Sequence, residues 1–304
     1  MIKIRIGGRC MPSWSDIFEE VKANENNIDV VRYKYLKEYK RITGREVIVY
    51  YSAFNSKSVP NLDINDSDMT GITNAMSGLD FDKGLDLILH TPGGSPAAAE
   101  RIVQYIREKF KDDIRVIVPS QAMSAGTMIA FSAKEIIMTK HACLGPIDPQ
   151  FNGLAAIDLL DTIVEAKHEL EKSPEKSSYW YIELQKYPPA FERLLRKSIE
   201  LSELLANDWL GSCMFDKKND QEVISNIVSA FNENKASKIH GRPFDYKHCS
   251  ECGLKVSLAE NHQDYQEALL SLHHCYILLM DMTPTVKIIE NSNNKSYQIY
   301  ANAS

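Results

Sequence analysis

In the stretch VPSQAMSAGTMIAFSAKEIIM, Val118 to Met138, Ser124 sits among small residues where a strand pattern gives way to a helix pattern. A serine hydroxyl attacks a carbonyl only when a base takes its proton and hydrogen-bond donors meet the negative charge that forms on the carbonyl oxygen. At the start of a helix Ser124 has unsatisfied backbone N–H groups beside it and the positive end of the helix dipole behind it. Ala125 and Gly126 leave that backbone uncovered, as a nucleophile on a tight turn requires.

A second turn, HTPGGSPAAAE, supplies the other half of such a site. Gly93 and Gly94 open backbone conformations closed to other residues and let a substrate approach the main chain. The N–H groups of Gly94 and Ala125 are the expected oxyanion hole, where losing one donor costs roughly 3 kcal/mol of transition-state stabilisation. Gly93, Ser95, Met123 and Pro146 are the neighbours expected to touch substrate.

The base is less determined. In LLDTIVEAKHELEK the positions Leu160, Ile163, Val164, Lys167 and Leu170 follow helical spacing, which puts Lys167 on an apolar stripe. Burial there lowers a lysine's pKa from about 10.4 toward the range of a base; alternatively the stem packs and the ammonium reaches water. His168 is the next candidate. His90, at the end of the strand before the glycine turn, either lines the crevice or hydrogen-bonds the turn. His141 and Asp148 lie in the same neighbourhood, and the two prolines around Asp148 suit a rigid loop more than proton transfer.

The elements that must position these residues alternate. A charged helical pattern from Asp29 to Arg45 ends in a glycine, and EVIVYYSA reads as a buried strand. A loop and a short helix opened by Asp66, Ser67 or Asp68 follow. Strand LDLILHT, helix AAAERIVQYIREKF, strand IRVIVPS, the serine turn with its helix, and strand EIIMT then predict βαβ units on a parallel sheet. Both turns fall at carboxyl ends of strands, where such sheets bind ligands. Helices are expected over Leu154 to Glu171, over Tyr179 to Leu210 with a break at YPPA, over Asp220 to Asn232 and near Tyr265 to Met280, with a strand at TVKIIEN. The division is an N-terminal helical extension 1–45, a catalytic domain 46–265 and a C-terminal helix and strand 266–304.

With 304 residues and a net charge of −6 spread along the chain, a sizeable core is expected and neither nucleic acid nor an anionic membrane is indicated. No apolar run reaches the roughly 20 residues of a membrane span, and the N-terminus shows no export signal. The six cysteines are scattered and read as reduced thiols of a cytoplasmic protein. Cys143 beside the serine turn fits a small buried hydrophobe or a reactive thiol. The compact His248, Cys249, Cys252 group with His240 upstream does not have the usual layout of a zinc site.

In order, GLDLILHTPGGSPAAAE, IRVIVPSQAMSAGTMIA, KEIIM and LGPIDPQF resemble the serine dehydrogenase proteinase family, a signal peptide peptidase A-like branch of the Clp protease/crotonase superfamily. The likeness covers roughly Asn27 to Val256. It implies an α/β fold of stacked ββα units with helical N- and C-terminal additions, a serine endopeptidase acting on polypeptide, and a homo-oligomer enclosing the active sites. It also implies that Ser124 is the nucleophile, that Gly94 and Ala125 form the oxyanion hole, and that no cofactor is needed. Clp protease carries a histidine base where this sequence has LGPIDPQ, so the likeness leans to a Ser-Lys dyad with Lys167. Two other readings stay open, a crotonase-type acyl-CoA enzyme with a carboxylate base in the crevice and a catalytically silent peptide-binding scaffold; so does a membrane-protein partner or substrate.

Overall fold

The computed structural model describes residues 12–232 and 243–301. Residues 1–11, which open the stretch read for an export signal, and His240 lie outside the described residues.

Helices α1 (Trp14–Ala23) and α2 (Ile28–Thr43) precede β1 (Glu46–Ser52), α3 (Asp68–Ala75), β2 (Leu85–His90), α4 (Pro96–Phe110), β3 (Ile114–Val118) and β4 (Gln121–Ala122). Then come α5 (Ala125–Phe131), β5 (Glu135–Met138), β6 (Cys143–Leu144) and a small hairpin, β7 (Gln150–Phe151) and β8 (Leu154–Ala155). Four helices follow, α6 (Ala156–Lys172), α7 (Ser177–Leu184), α8 (Phe191–Trp209) and α9 (Gln221–Asn232). The last part holds β9 (Phe244–Asp245), a short helix Tyr246–Glu251, β10 (Val256–Leu258), the C-terminal helix Gln263–Met282, β11 (Thr285–Asn291) and β12 (Ser296–Tyr300).

Local chemistry accounts for the main elements. Helix α2 stops because Gly44 takes a φ of 67° and its N–H closes on Lys40 O. Helix α4 starts where Ser95 Oγ accepts from Ala98 N–H with Pro96 in the first turn, and Ala98, Ala99, Ile102, Val103, Ile106 and Phe110 give it one buried face. Strands β1 and β2 are buried along their whole length, as parallel strands covered on both faces must be.

The central sheet runs β10-β5-β3-β2-β1-β11-β12. Strands β1, β2, β3, β5 and β10 are parallel, and β11 joins β1 antiparallel with β12 beyond it. One core, with α4, α5, α8 and α9, lies on the face that carries Leu85, Leu87 and Leu89 of β2. The other, with α1, α2 and the C-terminal helix, lies on the face that carries Ile88. Helices α6 and α8 hold a separate small core of Ala156, Leu159, Leu160, Ile163 and Leu195.

The terminal segments are not appendages. The C-terminal helix packs with α2 in the second core, and β11 is inserted between β1 and β12 in the main sheet. Strand β11 also carries two buried ion pairs, Glu290 with Arg32 at 2.7 Å and Lys287 with Asp68 at 2.8 Å. Such pairs stabilise little, but breaking one leaves a buried charge uncompensated.

Candidate active site

Ser124 is the N-cap of α5 at φ 50°, ψ −117°, a conformation that costs a non-glycine residue ~1–3 kcal/mol. Its own turn is closed by Gly126 N–H donating to Met123 O at 2.8 Å, and Met128 N–H donates to Ser124 O at 3.0 Å. Both bonds engage main chain on either side of the serine. The side chain makes no capping bond, so its hydroxyl is left for other chemistry.

The two turns that the sequence places at adjacent strand ends meet. Thr91 N–H donates to Gln121 O at 3.1 Å, and Met123 N–H donates to Thr91 O at 3.0 Å. Gly93, at φ 94°, lies so close to the serine turn that an added Cβ would stand 2.6 Å from Met123 O and 2.7 Å from Ser124 Cβ. Only glycine fits there. Gly94, at φ 149°, is pressed against Ile64, whose carbonyl oxygen would be 2.3 Å from an added Cβ.

Ile64 brackets the glycine pair from the outside. Its N–H donates to Gly93 O at 2.7 Å and its carbonyl accepts from Ser95 N–H at 2.8 Å. That bracket uses the atoms on either side of Gly94 N–H and leaves Gly94 N–H itself out. Ala125 is the first residue of α5, where an N–H has no partner within the helix. The pair expected as an oxyanion hole is thus built from a bracketed loop and a helix start.

Thr127 secures the floor. Its Oγ1 lies 2.8 Å from Ala122 O and 2.9 Å from Gly145 O, and accepts from Gly145 N–H at 2.9 Å. Gly145 begins the rigid loop, and Ser202 of α8 donates to Ile147 O at 2.7 Å while Ile147 N–H donates to Phe231 O at 2.9 Å. Helices α8 and α9 are thereby fixed to the loop beside the serine.

A cleft of about 520 Å³ opens over Ser124, with Gly93, Gly94 and Ser95 on one side. Met128, Ile147, Phe151 and Leu201 give it apolar walls, and Gln150, Ser198 and Ser202 add polar groups. Asp63 carries the one ionisable side chain among the described residues that line it. This is a concave, largely apolar site with few polar groups, the usual form of a ligand pocket.

Other expected residues are elsewhere. The buried face of α6 is Ala156, Leu159, Leu160, Ile163 and Ala166. It shares Leu160 and Ile163 with the stripe read from the sequence but runs through Leu159 and Ala166 in place of Val164 and Lys167. Val164 is exposed, and the Lys167 side chain is 59% exposed with Nζ 2.6 Å from Glu192 Oε2. The expected burial of Lys167 is therefore corrected: the next apolar contact is made by Ala166, and the lysine holds a solvated ion pair to α8. Neither Lys167 nor the exposed His168 lines the cleft.

His90 is buried on the opposite face of β2, its ring 5.1 Å from Tyr51, 4.8 Å from Phe54 and 5.8 Å from His273. Burial pushes its pKa down to about 4 and that of His273 well below the usual value, so both are neutral packing residues at pH 7. His141 is exposed beside Thr139 Oγ1, at 3.2 Å, and Asp148 is buried and accepts from Gln150 Nε2 at 2.8 Å. Of the expected substrate contacts, Gly93 and Ser95 line the cleft, whereas Pro146 is buried in the loop and Met123 reaches back to Gly145. Burial raises the Cys143 thiol, the behaviour of a small core residue, and likewise raises Cys249 and Cys252. Sequence reasoning missed Ile64, Asp63 and Lys287. Only the lysine left a trace, as a charge inside the apolar strand TVKIIEN.

A parallel sheet with ββα units, a glycine pair and a helix-starting serine at adjacent strand ends defines an α/β protein of the Clp protease/crotonase class. Within that class, residues 42–177 match the model of the ClpP-like SDH-type serine proteinases. Two relatives come from Methanocaldococcus jannaschii. Uncharacterized protein MJ1495 is 37% identical over 134 residues, 43% of this chain and 46% of the relative. Uncharacterized protein MJ0137 is 42% identical over 96 residues, 32% of this chain and 33% of the relative. The matched part thus spans less than half the length of these two relatives.

Proposed function

We propose that the protein is a serine peptidase in which Ser124 Oγ bonds the substrate's carbonyl carbon as the peptide C–N bond breaks, the hydroxyl proton passing through water in the cleft to the leaving amine, so that an acyl-enzyme forms on Ser124. The observation that carries this is the strained, uncapped serine packed against Gly93, with Gly94 lining the same cleft and Ala125 starting the helix next to it. A carbonyl entering the cleft would meet the hydroxyl on one side and two preorganised donors on the other, and such donors act where charge develops in the transition state. The family match of residues 42–177 supports the same chemistry.

The substrate in this reading is polypeptide, with apolar side chains seated against Met128, Ile147, Phe151 and Leu201. A cytoplasmic setting and a homo-oligomer belong to the same reading, which needs no cofactor. Among the described residues no helix is long and apolar enough to cross a membrane. The Ser-Lys dyad with Lys167 loses its structural support, because the lysine is exposed and engaged by Glu192.

A second reading draws on Asp63. A crotonase-type acyl-CoA enzyme needs a carboxylate in the crevice, and Asp63 supplies one at a site whose donors would equally stabilise an enolate oxygen. Fluorophosphonate labelling read by peptide mass spectrometry separates the two. The peptidase predicts one adduct on Ser124 that is abolished by Ser124→Ala. An unlabelled wild type that turns over acyl-CoA and loses that activity in Asp63→Asn would establish the other.

A further inference from the structure

Lys287 is 1% exposed and Asp68 fully buried, and their contact lies directly behind the glycine turn. Lys287 Nζ stands 2.8 Å from Asp68 Oδ1 and donates to Asp63 O at 2.6 Å. The other carboxylate oxygen, Asp68 Oδ2, accepts from Tyr50 OH at 2.8 Å and from Asn65 N–H at 2.9 Å. The ion pair therefore grips the main chain on both sides of Ile64, through Asp63 O and Asn65 N–H. Ile64 in turn brackets Gly94 through Gly93 O and Ser95 N–H.

We propose that Lys287 and Asp68 are positioning residues for the oxyanion donor Gly94. A loop of two glycines has wide conformational freedom, and Gly94 N–H points usefully only while Ile64 holds its neighbours. Ile64 sits in a loop between β1 and α3, its side chain fully buried in the main core and its backbone bridged to Gly94, and the main chain on either side of it is held by what binds Asp63 and Asn65. A buried ion pair is suited to that task because its geometry specifies one arrangement more than it stabilises the fold. Lys287 lies on β11, beyond the family-matched residues 42–177, so the C-terminal hairpin serves as part of the support of the site. This inference rests on the acyl-enzyme reading above.

The test compares three variants of the full-length protein. Lys287→Met removes the ammonium, and Asp68→Asn keeps the acceptor for Tyr50 and Asn65 while turning an amide toward Lys287. Glu290→Gln weakens the other buried ion pair of the same strand, which touches Arg32 and Tyr276 and not the glycine turn. The readouts are the rate of fluorophosphonate labelling of Ser124 and hydrogen exchange at Ser95 N–H, the amide bonded to Ile64.

Labelling slower by about 10-fold or more, with faster exchange at Ser95, is expected in Lys287→Met and, more mildly, in Asp68→Asn, and in neither respect in Glu290→Gln; a single oxyanion donor is worth roughly 100-fold or more. Wild-type labelling and Ser95 exchange in folded Asp68→Asn and Lys287→Met would overturn the proposal, as would equal losses in all three variants. Should Lys287→Met not fold, Asp68→Asn against Glu290→Gln decides. If wild-type Ser124 takes no label, the acyl-enzyme reading fails on its own, and Ser95 exchange alone then supports or overturns the positioning role.

Discussion

Two regions that the sequence joins in one mechanism are built in opposite ways. At the sheet end, Gly93, Gly94 and Ser124 hold main-chain conformations that small residues or strain alone permit, with Gly93 bonded to Ile64 and Thr91, Ser124 O bonded by Met128, and Gly94 held between the bonds of its neighbours. The α6 to α8 arm is a pair of amphipathic helices over a small core of its own, with Lys167 in a solvated pair and Leu194 and Leu204 exposed. A function that resides in backbone geometry tolerates almost no substitution. One assigned to a long side chain on an exposed helix face can move without disturbing the fold.

Substitution at Gly93 sharpens this contrast most. Gly93→Ala forces a methyl to within 2.6 Å of Met123 O at a φ of 94°, so labelling of Ser124 should fall by about 100-fold or more, the order of losing an oxyanion donor. A labelling rate within a few-fold of wild type would show that the turns are not held together as described.

The next effect lies behind the turn. His90 is neutral in the fold with a pKa of about 4, against about 6.5 in an unfolded chain. Its contribution is present above about pH 6.5 and is lost as pH falls toward 4, because only the unfolded chain takes up the proton in that window. Denaturant unfolding of wild type should therefore lose about 2 kcal/mol more than His90→Phe between pH 7 and pH 4.5. Equal pH slopes for the two proteins would remove His90 from the account.

The smallest effect is expected on the helical arm. Lys167→Ala should leave Ser124 labelling within about two-fold and stability within ~0.5 kcal/mol, since an exposed ion pair contributes little. A large loss of labelling would break the comparison and restore the lysine as the base.

The sheet end was legible because its signals are local. PGGSP and SAGT state their own backbone requirements, and strand ends define where a ligand can lie. The helices α6 and α8 were also found in place. The face of α6 was found at Leu160 and Ile163 but extended to the wrong flank, because LLDTIV has an apolar residue on each side of that pair and the helix buries Leu159 rather than Val164. The partners of Ile64 and of Lys287, the latter visible only as a charge inside TVKIIEN, were out of reach for a different reason. These partners come from β1, β2, α3 and β11, and a pairing across that much chain leaves no mark in a short window. Asp68 shows the same limit, since it reads as a helix cap and is in fact the buried partner of Lys287.

The insertion of β11 beside β1 also sets an order of events in time. Strands β1, β2 and β3 and the helices between them can form from neighbouring sequence, but β11 and β12 join their sheet only after the C-terminal helix before them has been made. Contacts so distant in sequence form late. A nascent chain would thus carry Ser124 and both glycines long before Lys287 arrives to fix Ile64. If Lys287 and Asp68 position Gly94, that donor gains its fixed place only when β11 has docked beside β1.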